Sequence, residues 1–149
     1  MKPVKFVVLG AALLASIGVF LDWIAVTGDV PALIRDAMPK SGMENGGPIF
    51  LFFLAMPLIA AGIGAAKRFG RGLSVLAIIG SALASLLALV KWADIESAGD
   101  ELAKLGGSGS VGVAPGYWLV FFGATIALFA SFVTLIKPEP KLQPALPGR

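Results

Sequence analysis

Lys67-Arg68-Phe69-Gly70-Arg71 packs three cations and a glycine into five residues near the middle of the chain, between two long apolar runs. Such a segment reads as a tight turn between two membrane-spanning helices, kept on the cytoplasmic side by its positive charge. Upstream of it, Ile49 to Ala66 carries no charge and follows the turn cluster Asn45-Gly46-Gly47-Pro48, which starts a helix. Downstream, Gly72 to Val90 is uncharged as well. Pro57 interrupts the first of these runs; a proline there frees the carbonyl of Phe53 and predicts a kink, as ordinary packing or as a gating hinge.

Two further runs lie outside this pair. Phe6 to Leu21, then Asp22, then Trp23-Ile24-Ala25-Val26 follow the basic start Met1-Lys2-Pro3-Val4-Lys5. A cleaved secretory signal has an apolar stretch of about 7–15 residues and a small-x-small site. This run is longer, and Trp23 to Gly28 offers no such site, so a retained span is expected. Tyr117 to Ile136 is uncharged and preceded by Ala114-Pro115-Gly116. About 20 helical residues at about 1.5 Å each cross the roughly 30 Å hydrocarbon layer. The chain is 57% hydrophobic and 14% charged, against about 25% charged for soluble domains. The expected fold is therefore an all-α membrane protein: a four-transmembrane-helix bundle with spans at 4–26, 49–66, 72–91 and 117–136, and a proline-rich tail at 137–149.

The charges orient this bundle. With the amino terminus, the central turn and the tail on one side, that side holds Lys2, Lys5, Lys67, Arg68, Arg71, Lys137, Lys141 and Arg149 against Glu139 alone. The other side holds Arg35, Lys40, Lys91 and Lys104 against Asp22, Asp29, Asp36, Glu44, Asp94, Glu96, Asp100 and Glu101. The split predicts both termini in the cytoplasm. Trp23, Trp92, Tyr117 and Trp118 all fall at the outer ends of spans, where an interfacial aromatic belt is expected.

Two connections face outward. In the first, Asp29 is expected to cap a short amphipathic helix with Val30, Leu33, Ile34 and Met38 on its apolar side. In the second, Ile95, Ala98, Leu102 and Leu105 recur at helical spacing, so the third helix continues to Leu105, or Ser97-x-x-Asp100 caps a separate short helix. Gly106-Gly107-Ser108-Gly109-Ser110 then makes a flexible loop. The tail, with Pro138, Pro140, Pro144 and Pro147, reads as a cytoplasmic strap, a docking peptide or a disordered end.

The chain has no cysteine and no histidine. Disulfides, thiolate nucleophiles, imidazole ligation and histidine general-base chemistry are thereby excluded within it. No phosphate loop or dinucleotide fingerprint occurs, so no cofactor, no metal and no small-molecule substrate is expected. No basic helix face suggests nucleic acid. Ser85 and Lys91 form the one formal Ser–Lys pairing, but a hydroxyl bonding its own helix backbone is the expected role of Ser74, Ser81 and Ser85. Asp22 and Lys91, each near the outer end of a span, are expected to meet as an interfacial ion pair that fixes helix register.

Small residues are the richer pattern. Ala77-x3-Ser81-x3-Ser85 and Gly80-x3-Ala84-x3-Ala88 stripe the third span, and Gly123-x3-Ala127-x3-Ser131 the fourth; Ala60-x3-Gly64, Ala11-x3-Ala15 and Ala12-x3-Ser16 add others. Stripes of this kind let helix backbones approach in lipid. Two neighbouring stripes on one helix are expected to leave a face for an external partner helix.

Asp22-Trp23 closing the first span and Gly116-Tyr117-Trp118-Leu119 opening the fourth resemble the architecture of small four-span bacterial inner-membrane proteins. That group implies a multi-pass inner-membrane location and no particular activity. Claudin-like proteins also share four spans and a long third helix, but have a longer first outer loop with paired cysteines. The expected function is a non-catalytic accessory or scaffolding subunit of a larger inner-membrane complex. Its partners would be membrane lipids and other integral subunits or a second copy of itself. The alternative is a small oligomeric channel or lipid-handling transporter.

Overall fold

A computed structural model describes residues 2–140. Its elements, in chain order, are α1 (Lys2–Phe20), β1 (Ile24–Thr27), α2 (Ala32–Ala37), α3 (Gly47–Ala66), α4 (Arg71–Lys104), β2 (Ser110–Val113) and α5 (Pro115–Ile136). The four long helices each contain an apolar window of membrane-spanning length. The chain is a multi-pass membrane protein built as a four-helix bundle, with a short two-stranded ribbon at one end.

The helix starts follow from residue type. Gly46 has φ +97°, a left-handed conformation that glycine adopts without a Cβ penalty, and Pro48 follows in the first turn of α3. Pro115 opens α5 in the same way, after an extended Ala114. The helices form a ring of contacts in which α1 packs on α5 and α3, and α4 packs on α3 and α5. Bulky side chains such as Phe52, Ile59, Leu86, Phe122 and Phe129 point outward, while the inside is lined by alanine, glycine and serine together with a few large residues such as Phe50, Leu54 and Val120. In lipid, helices gain by close van der Waals packing with one another, and outward apolar side chains remain with acyl chains.

Small residues mark where backbones meet. A methyl group on Gly123 would lie 2.7 Å from the Ala11 carbonyl oxygen and 2.8 Å from Ala15 Cβ, so α1 and α5 cross there. A methyl on Gly80 would lie 2.5 Å from the carbonyl oxygen of Phe53 and 2.8 Å from Pro57 Cδ. The carbonyl that Pro57 releases from its own helix is thus covered by the bare backbone of α4, a place for a weak Cα–H···O contact. α3 remains helical through Pro57, which is buried.

The first span is shorter than expected. α1 ends at Phe20, and Trp23 to Val26 does not continue it as a helix. The backbone turns aside at Leu21 and finds partners laterally: the Gly42 amide donates to the Leu21 carbonyl at 2.9 Å and the Ala114 amide to the Trp23 carbonyl at 2.8 Å. Ile24–Thr27 then pairs antiparallel with Ser110–Val113, with Ile24 opposite Val113 and Val26 opposite Val111. β-Branched residues fit such a ribbon. Because β1 follows α1 and β2 precedes α5, the ribbon grows out of the α1–α5 pair and rests on α4.

α4 is one helix of 34 residues, so the third helix does continue past Trp92 and no separate capped helix forms. At about 1.5 Å per residue it is roughly 50 Å long, against about 30 Å of hydrocarbon. The residues after it do not form an open loop. The position of a Gly109 methyl is taken by the Val30 side chain, and Gly28 lies against Gly109. The short helix between the first two spans is α2; Asp29 does not cap it, since Pro31 occupies the cap position and makes no side-chain bond.

Candidate interaction surface at the ribbon end

Trp23 is the keystone of the ribbon end. The reading of Trp23 and Tyr117 as lipid-interface aromatics is corrected: both are fully buried. The Trp23 ring meets Phe50 edge-on at 4.9 Å and Tyr117 edge-on at 6.0 Å. Its indole Nε1–H donates to the Gly18 carbonyl at 2.8 Å, which also accepts from the Leu21 amide at 3.2 Å where α1 stops. The Tyr117 hydroxyl donates to the Ala88 carbonyl at 2.7 Å, tying α5 to α4. Trp92 and Trp118 are half-buried and in edge-on contact at 5.9 Å. Interior aromatics here hold four chain segments together, which a hydropathy pattern does not distinguish from a belt.

The expected Asp22–Lys91 ion pair is not formed. Lys91 Nζ pairs with Asp94 Oδ2 at 3.1 Å, one turn along its own helix. Asp22 is exposed, its backbone bridges to Ser41, and it lines a surface depression with Arg35 and Lys40. The premature end of α1 is the physical cause, because it carries Asp22 off the helix axis and into a loop. Lys91 therefore makes no Ser–Lys pair with Ser85 either.

The stripe residues lie inside. Ala77, Gly80, Ser81, Ala84 and Ala88 of α4 and Gly123, Ala127 and Ser131 of α5 are buried, and Ser85 is half-buried. Both α4 stripes are consumed by α3 and α5, so the expected spare small-residue face is absent. Ser74 donates to the Gly70 carbonyl at 3.2 Å and meets Thr134 at 2.9 Å, and Ser131 donates to the Ala127 carbonyl at 2.7 Å. Ser81 and Ser85 differ from expectation: their hydroxyls bond neither their own helix nor a neighbour.

What the bundle does not use internally projects beyond it. The portion of α4 after Lys91 exposes Asp94, Glu96, Asp100 and Glu101, while Ile95 and Leu102 face the ribbon and are buried. Between this helix, β2 and the loop at Met38–Pro39 opens a cleft of about 170 Å³, lined by Trp23, Ile24, Asn45, Lys91, Ile95 and Val111 among others. Beside it, Ser41 and Glu44 form a reciprocal cap. The Lys40 and Ser41 amides donate to Glu44 Oε2 at 3.0 and 3.2 Å, and the Glu44 amide donates to Ser41 Oγ at 3.3 Å. Those amide hydrogen bonds hold the Glu44 carboxyl below its ordinary value of 4.5.

The opposite end holds a contact with no short-range sequence signal. Lys5 has a side chain only 9% exposed; its ammonium donates to the Gly64 carbonyl at 3.0 Å and pairs with Glu139 Oε1 at 3.2 Å. The Phe69 amide donates to Glu139 Oε2 at 3.2 Å. Three segments, α1, the α3–α4 turn and the start of the tail, are fastened at one point. Of the tail, residues 137–140 are fastened to the bundle there through Glu139; the rest of it, 141–149, lies outside the described residues.

Among the described residues no three carboxylates gather as a metal site. No family model, no curated protein and no solved structure matches this chain.

Proposed function

We propose that this chain is a non-catalytic accessory or scaffolding subunit of a larger bacterial inner-membrane complex, with both termini in the cytoplasm. The observation that carries the reading is the contrast within α4. Its membrane portion is buried through Ala77, Gly80, Ala84 and Ala88, in a bundle whose interior is closed by packed side chains. Its outer portion projects as a stiff helix braced by a ribbon, with carboxylates outward. A closed interior gives a single copy no route for an ion, and a braced projection is suited to holding a partner. Contact is made through the outer helix and ribbon rather than through a small-residue face.

Purification in mild detergent, with particle mass and co-purifying proteins identified, tests this: a monomer that brings nothing with it overturns the reading. Orientation is tested separately, because the cysteine-free chain permits clean single-cysteine labelling. A membrane-impermeant maleimide should label Ser97→Cys but not Arg71→Cys in intact spheroplasts, and the reverse result inverts the topology.

A second reading, lipid handling, rests on one feature. An almost wholly apolar groove of about 450 Å³, lined by Leu14, Trp118, Leu119, Phe122 and Ile126, opens between α1 and α5. It predicts lipid transfer between liposomes containing only this protein; no transfer above the protein-free rate removes it.

A further inference from the structure

The cleft beside α4 is the part of the ribbon end that the packing of the bundle leaves open. We propose that it receives one aliphatic or aromatic side chain from a partner protein segment whose neighbouring positions carry lysine or arginine. The inference rests on the accessory-subunit reading and specifies the chemistry of the partner.

Size comes first. The cleft measures about 170 Å³, and a dry cavity of about 150 Å³ accommodates a benzene-sized group. Its accessible apolar walls are Met38, Pro39, Ala98 and Val111 over a floor of the buried Trp23, Ile24 and Ile95, and its polar lining is Asn45, Lys91 and Asp94. The Lys91 ammonium is already engaged by Asp94.

Depth comes second. Val90 is the last residue of the uncharged run of α4, and the cleft is lined from Lys91 to Ala98. That stretch rises about 10 Å along the helix. Apolar surface on the spans is covered by acyl chains, whereas this surface lies at the water boundary, where leaving it uncovered costs free energy. A side chain from another protein covers it.

Charge comes third and selects the partner. From Trp92 to Lys104 the helix carries Asp94, Glu96, Asp100 and Glu101 against Lys104 alone, and the four carboxylates are exposed. Glu101 follows Ala98 by three residues and Asp94 by seven, so it continues the edge of the helix that lines the cleft. A segment with cations on either side of its apolar anchor is drawn to this edge, and an anionic phosphate headgroup is repelled by it.

The test uses the full chain in phosphatidylcholine nanodiscs and labelled Gly/Ser-based dodecapeptides read by fluorescence anisotropy. The first peptide carries a central phenylalanine flanked by four lysines, the second replaces the phenylalanine by alanine, and the third replaces the lysines by glutamate. The first should bind saturably and the other two at least tenfold more weakly. Ala98→Trp, which fills the cleft, and Glu101→Lys, on the exposed edge, should each weaken the first peptide at least tenfold; Glu101→Lys serves should Ala98→Trp fail to fold. Absence of saturable binding, equal binding of the alanine peptide, or indifference to the folded variants overturns the proposal. Displacement of the peptide by short-chain phosphatidylglycerol does so too, by assigning the cleft to lipid. A partner complex that purifies equally with wild type and Ala98→Trp sinks the cleft while leaving the accessory reading intact; a wild-type chain that purifies alone sinks the accessory reading.

Discussion

The two ends of the bundle are closed by different means. At the ribbon end, closure is distributed: a buried indole, two edge-on ring contacts, and backbone pairing between residues before α3 and after α4. At the turn end a single ring, Phe69, is buried against Gly64, and one ammonium and one carboxylate, with a carbonyl and an amide completing their shells, tie three segments together. The first depends on apolar area alone, the second also on two charges that are tolerable only together. Loss of either member of that pair strands the other charge in a single step, whereas the ribbon end loses stability in increments.

Mutations break this comparison at graded cost. Trp23→Ala is the largest: it removes the indole that touches Phe50, Tyr117 and the Gly18 carbonyl, and should cost about 4 kcal/mol, within the usual range for a buried aromatic. Unfolding in mixed micelles measures it, and a loss of under about 1 kcal/mol would show the keystone role is wrong. Lys5→Met comes next, at about 3 kcal/mol, because it strands the Glu139 carboxylate. The double variant Lys5→Met/Glu139→Leu should recover most of that loss, and failure to recover would place the cost in packing instead of charge.

Gly123→Val treats the two ends alike, since it separates α1 from α5 between them. Overpacking against Ala11 and Ala15 should cost about 2 kcal/mol. Gly10→Ala, where nothing lies within 4 Å of the added methyl, should be neutral or slightly stabilising in the same assay. The smallest effect is confined to the ribbon end. Glu44 has a lowered carboxyl pKa when folded, so the hydrogen bonds it accepts contribute stability above pH 4.5 and lose it as pH falls through the folded value. Hydrogen exchange at the Lys40 and Ser41 amides should accelerate in that window while the α3 core amides stay protected. Unchanged protection of those two amides down to pH 3 would remove Glu44 as their acceptor.

The spans were legible because absence of charge over about 20 residues is a local property that lipid enforces. The continuation of α4 was legible too, in the spacing of Ile95, Ala98 and Leu102. The ribbon was not, although Ile24 to Thr27 and Ser110 to Val113 both carry β-branched residues. Each strand is four residues long and is specified only by its partner more than 80 positions away. The end of α1 was missed for the same reason: Trp23 is apolar enough to continue a span, and only the laterally bonded Leu21 and Trp23 carbonyls show why it does not. Lys5 and Glu139 are 134 residues apart, and nothing near either marks it as buried. The small-residue stripes are legible as positions where helices approach, but their number suggests an unused face because the sequence does not say that α4 has two neighbours.

The unequal arms of α4 have a mechanical consequence. Its tightest seat, Gly80 against Phe53 and Pro57, lies nine residues from one end and 24 from the other, or roughly 14 Å and 36 Å of rod. A sideways force applied at the Lys104 tip therefore exerts about 2.7 times the moment at that seat that an equal force at Arg71 exerts, 24 residues of arm against nine. A grip on the tip acts through the longer arm of the helix, and the hairpin at Arg71 through the shorter.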